Sequence, residues 1–187
     1  MMILVTGGAR SGKSRLAEKM ANQRAIRDGA DVLYIATSVA TDAEMTLRIE
    51  QHKQARPAHW KTHEGYRQLG NEIRQQSTNF PVIVLECITT MLTNLLFDQA
   101  GDADPEKLDY DAIEQRLSLE IDDLLQACAS SESHIIIVTN ELGCGIVPEY
   151  TLARRFLDIA GRVNQRLAEQ AQEVHFVVSG IDMKIKG

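Results

Sequence analysis

The sequence predicts an α/β fold in which a mostly parallel sheet is flanked by helices. The first observation is a set of short, continuous apolar runs rich in β-branched residues, which are typical of strands buried on both faces. The second is that longer amphipathic segments separate these runs, which favours parallel strands joined by right-handed crossovers. The third is the length of 187 residues. This length fits one domain with a substantial core, and we predict a single domain over residues 1–187.

The predicted elements follow from these patterns in chain order. The strands are ILVTGG at 3–8, VLYIATS at 32–38, PVIVLEC at 81–87, HIIIVTNE at 134–141 and VHFVVSG at 174–180. The segment HWKT at 59–62 is a candidate for a further short strand. Helices are predicted over 13–28, 42–55, 66–76, 110–129 and 151–172. The acidic stretch 98–110 contains Gly101 and Pro105 and is predicted to be an exposed connection.

Composition excludes several classes of protein. The net charge of -6, from 20 Lys and Arg against 26 Asp and Glu, disfavours a general nucleic-acid binder. No apolar run approaches the roughly 20 residues that a membrane-spanning helix needs, and no basic leader precedes the first apolar run. Three cysteines without C-x-x-C spacing indicate neither a disulfide framework nor a zinc site. We therefore expect a cytoplasmic protein with no transmembrane segment and no nucleic-acid partner.

A phosphate-binding motif lies between the first predicted strand and the first predicted helix. Residues 7–14, GGARSGKS, match G-x-x-x-x-G-K-[ST] in full, in the strand-to-helix context that the motif requires. The glycines let backbone N–H groups surround phosphate oxygens, and the helix N-terminus adds positive potential. Lys13 is expected to reach the β- and γ-phosphates, while the Ser14 hydroxyl binds Mg²⁺. The predicted triphosphate site consists of Gly7, Gly8, Ala9, Arg10, Ser11, Gly12, Lys13 and Ser14.

Ligands of open α/β sheets bind beyond the carboxyl ends of the strands. This rule selects Ala36–Ser38 after the second predicted strand and Glu86 near the end of the third. Glu86 is a candidate partner for Mg²⁺, and the alternative is a carboxylate that caps a neighbouring helix. Asn140 and Glu141 end another strand, where the alternative is turn formation before the following loop.

The segment RIEQHKQARPAHW, residues 48–60, carries a candidate nucleophile. On a helix, Arg48, His52 and Arg56 are spaced four apart and share one face. Neighbouring cations disfavour the protonated imidazole, and a neutral imidazole in a positive setting suits attack on a phosphate. The alternative is a solvated charged helix on which His52 is only a surface residue. The residue pattern alone leaves both interpretations open.

Eight sequence blocks occur in order from end to end: GGARSGKS, YIATS, RIEQHKQARPAHW, THE, LECITTMLTNLL, TNELGCGIVP, ARRFLDIAGRVNQRLA and VVSGIDMKIK. With them the chain resembles, over essentially its whole length, the bifunctional adenosylcobinamide kinase / adenosylcobinamide-phosphate guanylyltransferase family of cobalamin assembly. The R-I-x-x-H-x-x-x-R-P-x-x-W block is far more specific than the phosphate loop. The resemblance implies a RecA-like P-loop fold, a homotrimer, and the substrates adenosylcobinamide and adenosylcobinamide phosphate.

The resemblance also implies a two-step reaction and a set of site residues. ATP or GTP phosphorylates adenosylcobinamide, and GTP then guanylylates the histidine of R-I-x-x-H, which is His52, before GMP passes to the new phosphate. Mg²⁺ near Ser14 and Glu86 stabilises the departing pyrophosphate. Glu64 is suited to accept from N1–H and the exocyclic amine of guanine. The residues implied to line the guanine-nucleotide site are Ala36, Thr37, Ser38, Lys53, Gln54, Ala55, Arg56 and Glu64, and Glu86 joins the nucleotide site as the magnesium candidate at its strand end.

Departures from the family pattern are few, and the sequence leaves two other functions to consider. Glu86 stands where the family often has Asp, and Asp182 stands where a proline is common. A simple P-loop small-molecule kinase is the alternative function, with no covalent nucleotide on the protein. A regulatory GTP switch is disfavoured because the chain reads TNEL, not N-K-x-D, after its fourth strand. Arg154 and Arg155 are predicted either to face phosphate or to form surface pairs.

Overall fold

The structure is a computed structural model that describes the backbone of residues 1–40, 43–101 and 103–187. Within these ranges, six residues of one helix have side chains that lie outside the described part of the chain: Met45, Arg48, Gln51, His52, Gln54 and Ala55. The prediction of an imidazole nucleophile at His52 therefore concerns a side chain beyond the described residues.

Seven strands form one sheet in the described part of the chain. They are β1 (Met2–Gly7), β2 (Val32–Ala36), β3 (Lys61–Glu64), β4 (Val82–Glu86), β5 (His134–Asn140), β6 (Glu173–Val178) and β7 (Ile181–Lys186). The strand order is β3-β2-β4-β5-β1-β6-β7, and every pair is parallel except the antiparallel β6–β7 hairpin. The predicted mostly parallel sheet flanked by helices is confirmed.

The helices are α1 (Lys13–Asp28), α2 (Ala43–Ala55), α3 (Leu69–Gln76), α4 (Ile88–Ala100), α5 (Tyr110–Ser130) and α6 (Thr151–Gln170), with a short 3-10 helix at Pro105–Lys107. The predicted bounds of α1 are confirmed at both ends. Gly29 ends this helix in the left-handed conformation, with φ 61°. One apolar cluster joins α3, α4, α5 and α6 to one sheet face, and a second joins α1 to the other face.

Helix α4 and strand β7 were not predicted from the sequence. Helix α4 follows β4 after a single residue, so its apolar positions continue the buried run of the strand. Strand β7 is exposed along its whole length and therefore lacks the continuous apolar run on which strand prediction depended. It pairs with β6 through a two-residue turn in which Ser179 and Gly180 both have positive φ, 51° and 80°.

The predicted strand at 59–62 exists, but it lies at Lys61–Glu64 because the residues before it form a turn, in which the Trp60 N–H donates to the Pro57 carbonyl oxygen at 3.0 Å. The parallel register then pairs Ala36 at the end of β2 with Glu64 on one side and with Glu86 on the other. In the same way Gly7 at the end of β1 pairs with Asn140. The strand ends that carry polar residues therefore share one edge of the sheet.

Candidate active site

The phosphate loop joins β1 to α1, and its geometry explains its glycines. A Cβ atom on Gly7 would lie 2.5 Å from the carbonyl oxygen of Val177, so no larger residue fits at this position. Gly12 has φ 99°, a conformation that L-residues rarely adopt, and it stands directly before the first residue of α1. Lys13 is buried, and its Nζ donates a hydrogen bond to the Gly8 carbonyl oxygen at 3.1 Å.

Glu86 receives two hydroxyl donors at the carboxyl end of β4. Its Oε1 accepts a hydrogen bond from the Ser14 hydroxyl, and its Oε2 accepts one from the Tyr34 hydroxyl. The two residues predicted to hold Mg²⁺ are thus in direct contact. The cap of α4 is formed instead by Cys87, whose Sγ accepts from the backbone N–H of Thr90 at 3.4 Å, so Glu86 is not the helix cap.

The Ser14–Glu86 pair has the chemistry that Mg²⁺ requires. Mg²⁺ prefers oxygen ligands and is usually bound through one or two protein oxygens together with substrate phosphates and water. No cluster of three or more His, Cys, Asp and Glu side chains suited to a metal occurs among the residues that the structure describes. The hydroxyl and the carboxylate beside the phosphate loop therefore fit a metal held jointly by protein and nucleotide.

A cavity of about 820 Å³ lies at this edge of the sheet. Its wall contains most of the residues that the sequence predicted, namely Ala9, Arg10, Ser11, Gly12, Lys13, Ser14, Ala36, Ser38, Lys53, Arg56, Glu64 and Glu86. Asn140 also lines it, in keeping with its position at a strand end. One space therefore joins the phosphate loop to the segment around α2, and it is large enough for a nucleotide.

Thr37 is placed differently from the expectation that it lines the nucleotide site. Its side chain is fully buried, and its Oγ1 both donates to the Cys87 carbonyl oxygen and accepts from the Cys87 N–H, each at 2.8 Å. The Thr37 carbonyl oxygen accepts from Asn94 Nδ2 at 2.8 Å. The Thr37 side chain therefore joins the ends of β2 and β4 and supports the cavity from behind.

Arg56 follows directly after α2 and not within it, so it is not part of the predicted helical face. Its guanidinium lies over the ring of Tyr34, 3.5 Å from the centroid. Its Nε and Nη1 are buried and have no hydrogen-bond partner among the described residues. A guanidinium in a cavity wall with unpaired N–H groups is suited to bind a phosphate or carboxylate.

Lys53 and Glu64 meet in the wall of the cavity. The Lys53 ammonium forms an ion pair with the Glu64 carboxylate, and both side chains are about half exposed, at 45% and 55%. The backbone of the predicted residues Gln54 and Ala55 lies in α2, and their side chains are outside the described part. The described geometry thus brings Glu64 into the cavity together with a cation.

Glu18 and Tyr34 are titratable residues of the cavity wall that sequence reasoning missed. Glu18 follows Ser14 by one turn of α1, and burial, together with the nearby Glu86 charge, raises its pKa to about 7 although Arg56 opposes the shift. Burial and the Glu86 charge likewise hold the pKa of Tyr34 far above its ordinary value, so its hydroxyl remains a donor. The four-residue spacing from Ser14 was a signal for Glu18, because such residues share a helix face.

Three further candidates have structural roles. The Glu141 carboxylate accepts from the Gly143 N–H at 2.6 Å, which is the turn contact of the alternative interpretation. Arg154 donates to the Pro148 carbonyl oxygen at 3.1 Å and to Thr151 Oγ1 at 3.2 Å, so it holds the start of α6. The Arg155 guanidinium lies 5.8 Å from the centroid of a tyrosine ring, that of Tyr110.

The fold and the cavity define a RecA-like P-loop nucleotide-binding protein. The fold is similar to a KaiC-like protein, PH0186, from Pyrococcus horikoshii OT3, with a TM-score of 0.52 and 12% identity over 94% of this chain and 69% of that one. The profile of the family described as cobinamide kinase / cobinamide phosphate guanyltransferase, CobU, matches residues 3–185. The chain belongs to this family. It is an enzyme, a cobinamide kinase and cobinamide phosphate guanylyltransferase.

Curated relatives agree with the family match. Two are named bifunctional adenosylcobalamin biosynthesis protein CobU, from Escherichia coli K12 and Salmonella typhimurium LT2, and each is 56% identical over the full length of both chains. A third, named CobP, is from Pseudomonas aeruginosa PAO1 and is 41% identical over 100% of this chain and 98% of its own. The membership favours the bifunctional interpretation over a simple kinase. In the described part of the chain, no helix has the length and apolar character to cross a membrane.

Proposed function

We propose that this enzyme phosphorylates adenosylcobinamide with ATP or GTP and then converts adenosylcobinamide phosphate to adenosylcobinamide-GDP through a guanylyl group on His52. The observation that carries the proposal is that one cavity wall contains both the phosphate-loop residues Lys13 and Ser14 and the cations Lys53 and Arg56 of the segment around His52. A simple kinase needs only the first pair.

In the kinase step a hydroxyl oxygen of the substrate attacks the γ-phosphorus. The bond between this phosphorus and the β–γ bridging oxygen breaks, the nucleoside diphosphate leaves, and the hydroxyl proton is released to solvent. In this proposal Lys13 holds the β- and γ-phosphates, and its buried position beside the phosphate loop supports that role. Mg²⁺, when bound by Ser14 and Glu86, supplies charge neutralisation of the phosphate oxygens.

In the second reaction an imidazole nitrogen of His52 attacks the α-phosphorus of GTP. A P–N bond forms, the bond to the bridging α–β oxygen breaks, and pyrophosphate leaves. A phosphate oxygen of adenosylcobinamide phosphate then attacks the same phosphorus, the P–N bond breaks, and the imidazole is restored. The unpaired N–H groups of Arg56 support a role in binding the transferred phosphate.

Glu64 supports a preference for guanine in the second reaction. A carboxylate can accept from N1–H and the exocyclic amine of guanine together, and adenine offers no matching pair. The Lys53 ammonium pairs with the Glu64 carboxylate, so guanine binding would exchange one partner of this carboxylate for another. The single domain and the cytoplasmic location expected from length and composition, and the homotrimer implied by the resemblance, are further parts of the proposal.

The experiment that tests this function is labelling with GTP that carries radioactive phosphorus at the α position, in the presence of Mg²⁺. We expect protein-bound label that survives alkali and is lost in acid, as a phosphoramidate is, and that is absent from His52→Ala. His59→Ala is the matched control, because His59 is an exposed histidine in the same segment. A folded wild-type enzyme that makes adenosylcobinamide phosphate but never takes up label would support the simple kinase instead.

A further inference from the structure

Tyr34 makes two different contacts with the cavity through two parts of one side chain. It is 1% exposed, at the third position of β2. Its hydroxyl donates to Glu86 Oε2, and the face of its ring lies 3.5 Å from the Arg56 guanidinium carbon. The hydroxyl thus touches the carboxylate next to Ser14, while the ring touches the cation that follows α2.

The surroundings of Tyr34 fix its position. Its ring centroid lies 6.3 Å from that of Trp60 at an interplanar angle of 31°, so a second buried aromatic ring of the α2–β3 connection packs against it. Strand β2 is flanked by β3 and β4, and its register with β4 pairs Tyr34 with Val84, two residues before Glu86. A side chain held by a central strand and a packed aromatic ring has little freedom to move.

We propose that Tyr34 is a positioning residue that couples the two halves of the active site. Its hydroxyl orients Glu86 toward the metal side, and its ring holds the Arg56 guanidinium at the guanylylation side. Hydrogen bonds to a metal-binding carboxylate typically change metal affinity 10–100-fold, and a cation over an aromatic face gains stabilisation from the ring quadrupole. The inference rests on the proposed function and assigns to Tyr34 a role that no phosphate-loop residue performs.

The two contacts are chemically separable. Tyr34→Phe removes the hydroxyl that Glu86 uses and keeps the ring face beneath Arg56. Tyr34→Leu removes both the hydroxyl and the ring. Tyr66→Phe is a matched control, because the Tyr66 hydroxyl also donates to a carboxylate, that of Asp98 at 3.1 Å, and an arginine also lies over its ring, 4.8 Å away. Tyr66 is not part of the cavity wall.

The first measurement is the affinity for GDP by isothermal titration calorimetry, in EDTA and across a Mg²⁺ titration. For Tyr34→Phe we expect unchanged affinity in EDTA and a Mg²⁺ midpoint about 10-fold higher than in the wild type. At saturating Mg²⁺ this variant should form guanylyl-protein from GTP at a rate within about threefold of the wild type, because Arg56 keeps its stacking partner. Tyr66→Phe should match the wild type in both measurements.

For Tyr34→Leu we expect the raised Mg²⁺ midpoint together with a loss of guanylyl-protein formation of about 10-fold or more that saturating Mg²⁺ does not restore. A rate of guanylyl-protein formation that is retained in Tyr34→Phe and lost in Tyr34→Leu would show that the ring positions Arg56. An unchanged Mg²⁺ midpoint in Tyr34→Phe would overturn the proposal, as would equal guanylylation losses in the two variants at saturating Mg²⁺. If Tyr34→Leu does not fold, Tyr34→Phe alone tests the proposal. Its Mg²⁺ midpoint should be raised, and its rate of guanylyl-protein formation at saturating Mg²⁺ should be retained.

Failure of this proposal is distinguishable from failure of the proposed function. The calorimetric midpoint requires only nucleotide and Mg²⁺, so it tests the contact with Glu86 even if the wild type forms no guanylyl-protein. Absence of guanylyl-protein in the wild type would reject the His52 reaction and the assigned role of the Tyr34 ring. A normal wild-type reaction with identical behaviour of all three tyrosine variants would reject the coupling and leave the function intact.

Discussion

The Ser14 hydroxyl at the start of α1 donates a hydrogen bond to the Glu86 carboxylate at the end of β4. Residues 72 positions apart in the chain are joined at the point where the phosphate loop meets the strand ends. A bound Mg²⁺ would replace this hydrogen bond by two metal–oxygen contacts. The pair therefore links the fold directly to the metal requirement of both proposed reactions.

Two replacements of Glu86 should distinguish the contribution of its charge from the contribution of its size. We expect Glu86→Gln to lower both phosphoryl and guanylyl transfer by about 100-fold, because the amide keeps the size but not the charge that a divalent metal needs. Glu86→Asp keeps the carboxylate with a shorter reach and should lose less, with part of the loss restored by added Mg²⁺. The measurement is the rate of each step across a Mg²⁺ titration. Full activity of Glu86→Gln at low Mg²⁺ would remove Glu86 from the metal site.

Lys13 should be needed for both reactions, since the same phosphate loop binds the nucleoside triphosphate in each of them. Lys13→Ala is expected to depress each rate by about 100-fold, the typical cost of removing one preorganised charge-stabilising donor. Lys19→Ala is the control, because Lys19 is an exposed lysine of the same helix. The two rates are measured separately, with adenosylcobinamide for the first and adenosylcobinamide phosphate for the second. Retention of either reaction at full rate would indicate a second nucleotide site.

Glu64 should discriminate between nucleotides. We expect Glu64→Ala to raise the KM for GTP by about 10-fold, from loss of hydrogen bonds to a charged acceptor, while the KM for ATP changes little. Lys53→Ala is informative beside it, because it leaves the Glu64 carboxylate in place without its ion-pair partner. Competition between GTP and ATP in the labelling reaction provides the readout. Equal weakening of both nucleotides by Glu64→Ala would exclude it as the guanine-reading residue.

The raised pKa of Glu18 has a consequence for stability. Its ordinary value of 4.5 rises to about 7 in the folded chain, mainly because burial disfavours the charged form. Between these values the folded state binds more protons than the unfolded state, so this residue lowers the free energy of unfolding as pH rises through the window. Below pH 4.5 the carboxyl is protonated in both states and has no such effect.

Glu18→Gln should therefore be more stable than the wild type above pH 7 and equal to it near pH 4. The expected gain in Tm is about 2–4 °C, which corresponds to about 1 kcal/mol for a chain of this size after allowance for the exposed part of the side chain. Glu132→Gln, at an exposed position, is the control. The measurement is the Tm of the wild type and of both variants by thermal unfolding across this pH range. A Tm difference that stays constant with pH would show that ionisation of Glu18 is not the cause.

The sequence was sufficient for the strand–helix alternation because buried strands and amphipathic helices impose different periodicities. It was insufficient for α4, whose buried residues Ile88, Leu92 and Leu96 continue the apolar run of β4 with one intervening residue, Cys87. Local pattern does not mark a boundary between two buried elements of this kind. The edge strand β7 was not predicted for the opposite reason, since its residues are exposed and form no apolar run.

In the site, too, some features could be predicted from the sequence and others could not. The positions of Ser14 and Glu86 could be predicted because a motif fixes one and the strand-end rule selects the other. The contacts of Tyr34 could not, because they depend on the register of β2 with β4 and on the packing of the α2–β3 connection. One signal was available: a tyrosine in an otherwise aliphatic buried strand requires a hydrogen-bond partner for its hydroxyl. The local pattern around Tyr34 did not indicate which residue that partner was.

Asp182, which stands where the resemblance led us to expect a proline, has a structural role in this chain. Its Oδ1 lies 2.8 Å from Nδ1 of His175, a histidine that is 5% exposed on β6. A proline at this position could not supply that partner.

We expect Asp182→Ala to destabilise the chain by about 1–2 kcal/mol, because it leaves a buried imidazole nitrogen without its hydrogen bond. Both activities should persist below the lowered Tm, because His175 lies outside the cavity wall. Urea unfolding of Asp182→Ala beside Asp182→Asn, which retains an oxygen at the same place, is the measurement. Equal stability of the wild type and Asp182→Ala would show that the contact contributes nothing.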